Sequence, residues 1–106
     1  MPKYLFSGSY IGEGIKGLLR DGGSGRKEAV EKLMTSLGGK IESIHFAFGG
    51  DDFFIIAEAP DNIKAAAGAL IAAASGAVTV KTTVLLTPEE ADEVSKISAD
   101  YRPPGQ

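Results

Sequence analysis

The chain has 106 residues, 43% of them hydrophobic and 24% charged, with a formal net charge of -3; this fits one globular domain with a modest core and offers no concentrated positive field for a nucleic acid. With no cysteine and one histidine, the chain cannot form disulfides, a thiolate nucleophile or structural zinc, and catalytic zinc within one chain is nearly excluded. The start MPKYLFSGSY lacks the basic region and apolar core of a secretory leader, and no apolar run approaches the roughly 18 residues of a membrane span, so a cytoplasmic protein without a membrane partner is expected.

Residues 3–10, KYLFSGSY, mix aromatic and apolar residues with small polar ones in rough alternation, which predicts a first strand before Gly12 and Gly14. Ile15, Leu18 and Leu19 then take helical spacing as far as Asp21-Gly22-Gly23, and a second helix starts near Ser24, a good N-cap residue. Its stripe of Ala29, Val30, Leu33, Met34 and Leu37 stops at Gly38-Gly39. In DGGSGRK at 21–27, glycines before a helix start, with Arg26 and Lys27 beside them, have the chemistry to receive a phosphate or carboxylate. The spacing of a phosphate-binding loop is absent and no strand leads directly into it, so the segment reads as a helix-breaking linker.

Residues 40–48 and 53–59 are two short strands rich in Ile and Phe around the turn FGGDD. A loop of two residues (Gly50 and Asp51) or four (Gly49 to Asp52) pairs Phe48 with Phe53, setting His45 opposite Ile56 and Ser43 opposite Glu58. Asp51 and Asp52 lack the further oxygen ligands of a calcium loop, and no metal is expected there. Asp61 caps a third, alanine-rich helix with Ile63, Ala66, Ala67, Leu70, Ile71 and Ala74 facing inward, ended by Gly76. Residues 77–86, AVTVKTTVLL, are a fourth strand. TPEE at 87–90 has the form of a capping box with proline at N1, opening a last helix through Ala91, Val94 and Ile97. The Pro-rich tail 101–106 cannot continue it.

The order is that of a split βαβ unit, an α+β ferredoxin-like domain spanning residues 1–106 with a folded core over 1–100 and helices on one face of a four-stranded antiparallel sheet. Both sheet faces nevertheless carry large apolar residues. Tyr4 and Phe6 oppose Leu5 on strand 1; Ile44, Phe46 and Phe48 oppose Ile41 and Ala47 on strand 2; Phe53 and Ile55 oppose Phe54 and Ile56 on strand 3. Helices can cover only one face, and a second copy is the economical cover for the other, which predicts a symmetric homodimer, with a higher oligomer as an extension.

KYLFSGSY, EGIKGLL, GGSGRKEAVEKL, SLGGKIES, FAFGGDDF, ASGAVTVKTTVLLTPEE and YRPPG together resemble the GYD domain family of small bacterial proteins over essentially the whole chain. The resemblance implies a dimeric α+β barrel. The family's glycine, tyrosine, aspartate signature lies between the second and third strands, where this chain has Gly49-Gly50-Asp51-Asp52, with Asp51 in the place of the tyrosine. A chemical role of that tyrosine would be missing here, and a role carried over to Asp52 is weakened. Fold relatives include cofactor-free monooxygenases, isomerases and ligand-sensing domains, an analogy at the level of fold alone.

The expected pairing makes His45 and Glu58 diagonal neighbours, close enough for a carboxylate to orient an imidazole as a general base. The bland alternative is a partly buried sheet histidine hydrogen-bonded to a neighbour. Lys81 has the charge to counter Glu58 or an anionic ligand, or is an exposed edge residue. Tyr4, Tyr10, Ser7 and Thr83 are further polar groups able to converge on a ligand. The expected function is a small-molecule-binding homodimer with a mostly apolar pocket between sheet and helices, without a cofactor. The alternatives are a cofactor-independent monooxygenase- or isomerase-like enzyme with His45 as base, and a structural role in assembly.

Overall fold

A computed structural model describes all 106 residues. The elements run β1 (Lys3–Gly8), α1 (Glu13–Ser36), β2 (Lys40–Phe46), β3 (Phe53–Glu58), α2 (Asn62–Ala74), β4 (Lys81–Leu85) and α3 (Pro88–Ser95). The four strands form one antiparallel sheet in the order β2-β3-β1-β4. This is the expected ferredoxin-like arrangement, with β1 and β3 in the centre because they carry the chain's most apolar alternation. No helix is long and apolar enough to cross a membrane.

The expected helix break is present inside α1, where Gly22 takes φ 74° and ψ 171°. That backbone region is open essentially to glycine alone, so the Asp21-Gly22-Gly23 stretch bends the helix and lets its second half lie along the sheet. At the end of β1 another glycine acts through size. A Cβ on Gly8 would overlap the carbonyl oxygen of Thr79, and its absence lets residues 77–79 pass close to the chain after β1. Pairing there keeps the β1–β4 register, with Tyr10 opposite Val78 and the Thr79 N–H donating to the Ser9 carbonyl at 2.8 Å. The regular part of β4 is thus shorter than the predicted 77–86.

Tyr4, Phe6, Phe53, Ile55 and Ala57 point to the helix side, where they meet Met34 of α1 and Ala65 of α2. The Asp61 side chain accepts from the Lys64 N–H at 2.8 Å and caps α2 as expected. The face that α2 buries is not the expected one. Ala65 and Gly68 are buried, whereas Ile63, Leu70 and Ile71 are 80%, 68% and 56% exposed. Small residues win because the helix sits close: a Cβ on Gly68 would lie 3.3 Å from Leu37 Cδ1, so the wider Ile and Leu side chains turn outward. The α3 helix starts with the predicted capping box of Thr87 and Glu90, yet buries none of its residues.

A further departure lies in the β2–β3 hairpin. Phe46, not Phe48, pairs with Phe53, and the connection runs from Ala47 to Asp52. Phe48 stands fully exposed within it. A bulge between Ile41 and Ser43 sets Ile41 opposite Ala57 on the helix side, so strand 2 does not present Ile41 to the open face as its alternation predicted.

Candidate functional site

The sheet and the first two helices line a half-open cavity of about 70 Å³. Phe6, Phe53 and Ile55 floor it from β1 and β3, Val30 and Met34 come from α1, and Ala69 from α2. Its apolar walls follow from the fold, since the inward alternation of two central strands meets one helix stripe. Small residues on α2 leave the space unfilled, where leucines would have closed it. A wider cleft of about 480 Å³ adjoins it between the two halves of α1 and the segment after α2. Tyr10, Arg26, Val30 and Val78 belong to both walls, so the cleft leads into the cavity.

Of the residues picked from sequence, Tyr10 lines this cavity, with its ring centroid 5.6 Å from that of Phe53. The others are elsewhere. Tyr4 is 1% exposed and donates from its hydroxyl to Asn62 Oδ1 at 2.6 Å, which ties the sheet to the start of α2. Ser7 is buried opposite Phe54 and Lys81 on the other side of β1. Thr83 pairs with Leu5 and is exposed.

His45 and Glu58 are not brought together. In the observed register His45 faces Phe54, four residues before Glu58 on β3, a separation of about 13 Å at strand rise. Glu58 instead pairs with Lys40 at 3.3 Å, directly across the ladder. His45 is exposed and has no carboxylate beside it to orient its ring. Lys81 likewise does not counter Glu58; its Nζ lies 2.8 Å from Asp51 Oδ2. The longer hairpin connection causes the β2–β3 shift, because moving the pairing by two residues keeps His45 on its face while changing its neighbours.

Sequence reading set Arg26 beside the glycines of a helix-breaking linker and did not place it on the cavity wall, where it lies. The signal was present, since Arg26 precedes Val30 by four residues and Leu33 by seven, one turn and two turns back along the apolar stripe. A charge at that phase of a helix points to the core side.

A model of the GYD domain matches residues 4–94. The chain belongs to the GYD domain family. Neither a curated protein nor a solved structure matches it. At the position of the GYD signature, both aspartates have structural partners. Asp51 holds Lys81, and Asp52 accepts from the Tyr10 N–H at 3.0 Å through its side chain, while its own N–H donates to the Gly8 carbonyl at 2.7 Å. In this GYD domain the turn therefore clamps the end of β1 to the β2–β3 connection, and in doing so places Tyr10 over the cavity.

Proposed function

We propose that this GYD protein is a homodimer whose subunits each bind a small organic molecule in the apolar cavity under α1 and α2. The observation that carries this is the cavity itself: a concave, almost wholly apolar space with a wider entrance, few polar groups and walls built on regular elements. What supports the second copy is the side of the sheet that the helices leave open. There Phe54 is 40% exposed and Leu5, Ile56 and Leu85 are half-buried. Ion pairs border them: Lys3 with Glu42 at 2.9 Å, Lys40 with Glu58 at 3.3 Å and Lys81 with Asp51 at 2.8 Å. An apolar centre with a charged border is the composition of a protein interface.

The test is an NMR titration with 3-methylbutan-1-ol, a neutral probe matched to a small apolar space. Saturable shifts of the Val30, Ile55 and Ala69 methyl signals are expected. They should vanish in Ala69→Leu, which fills the cavity, provided circular dichroism shows that variant folded. Shifts spread evenly over the surface, or unchanged in the filled variant, would defeat the reading.

A further inference from the structure

The cavity wall carries a charge that no group on the chain neutralises. Arg26 is the one charged residue lining the inner cavity, and it lines the entrance cleft as well. Its Nε is buried without a hydrogen-bond partner. A guanidinium has only donors, and leaving one buried and unpaired is costly. None of the six ion pairs includes Arg26. The other charges of the cleft already have partners: Glu13 takes Lys16 at 3.4 Å, and Asp21 takes Arg20 at 4.0 Å. The unmatched charge is therefore cationic and stands where cleft and cavity join.

We propose that the ligand of this pocket is a small apolar carboxylate, with its carboxylate on the Arg26 guanidinium and its hydrocarbon body among Phe53, Ile55 and Val80. This rests on the pocket reading above and names its ligand class. The planar fork of a guanidinium presents two parallel N–H groups that a carboxylate accepts together. A phosphate dianion would ask for a second free cation, and the cavity wall has none. A neutral hydrocarbon would leave Nε unpaired. The cavity of about 70 Å³ limits the buried part to a short or branched chain, with any larger remainder in the cleft.

Isovalerate and its neutral isostere isovaleramide, titrated by NMR against the full-length protein, separate the possibilities. Isovalerate should bind at least about tenfold more tightly than the amide, the worth of a charge-assisted hydrogen bond. Arg26→Gln should erase that preference, and Arg26→Lys, which keeps the charge and loses the fork, should retain part of it. Thermal melts would establish that both variants are folded. Equal binding of acid and amide, abolished in both cases by Ala69→Leu, would overturn the carboxylate and leave the pocket standing. A preference for isovalerate that survives in Arg26→Gln would also overturn the role of Arg26. If neither probe binds and 3-methylbutan-1-ol gives no localised shifts, the pocket reading falls and this inference falls with it.

Discussion

The hydroxyl of Tyr4 shows what one polar atom does in this core. The ring is buried beside Phe6, with centroids 6.1 Å apart, and its hydroxyl reaches Asn62 at 2.6 Å. Tyr4→Phe removes the donor and leaves Asn62 Oδ1 unpaired, so a loss of about 1 kcal/mol is expected in denaturant unfolding, with an unchanged slope. The Lys3 ammonium gives a different kind of prediction. Its hydrogen bond to Glu42, reinforced by the charges of Glu42 and then Glu58, raises its pKa above the ordinary 10.5. A raised folded pKa makes the contribution fully present below the unfolded value and lost as pH climbs through the folded one. The contribution of this pair should be constant near neutrality and be lost in the strongly alkaline range, and Glu42→Gln should weaken that alkaline dependence in pH-resolved melts. His45 illustrates the limit of reading residues singly. Its identity and strand were legible, whereas its neighbour depended on a pairing register set by six connecting residues and a bulge.

At the scale of elements, caps and glycines were legible because their causes are local. Thr87 and Glu90 cap α3 with reciprocal bonds of 3.1 and 3.0 Å. That helix buries nothing, so Thr87→Ala should unravel it, seen as faster amide exchange over residues 88–95, while leaving the melting temperature of the domain nearly unchanged. Gly22 is the opposite case, a local feature with a tertiary consequence. Gly22→Ala should cost about 1–3 kcal/mol in equilibrium unfolding, because no Cβ-bearing residue adopts its backbone angles without strain and the second half of α1 must keep its place on the sheet. The inward face of α2 was misread for a physical reason. Hydrophobicity favours Ile63, Leu70 and Ile71, but close helix packing favours Ala65 and Gly68, and the short distance to Leu37 and Met34 decided in favour of the small side chains.

At the scale of the molecule, the open apolar surfaces include the sheet face around Phe54 and the outer face of α2 around Leu70. They make distinguishable predictions about assembly. If the sheets pack together, Phe54→Glu should convert a dimer to a monomer in sedimentation velocity at micromolar concentration, and Leu70→Glu should leave it dimeric. The reverse pattern would move the interface to α2, and a monomeric parent protein would remove the dimer altogether.

From its sequence alone this protein had its element order, its ferredoxin-like class, the caps of α2 and α3 and its helix break determined, because those follow from periodicity, side-chain caps and glycine backbone freedom within a few residues. The same local signals showed that the sheet carries apolar groups on both sides. Tertiary structure alone decided which face of α2 is buried, how β2 and β3 align, and therefore that Glu58 meets Lys40 and Asp51 meets Lys81. It alone placed Arg26 at the mouth of a cavity whose other walls come from five separate parts of the chain. Those outcomes depend on distances between residues far apart in sequence, where fit and close approach outweigh the preference of any single side chain.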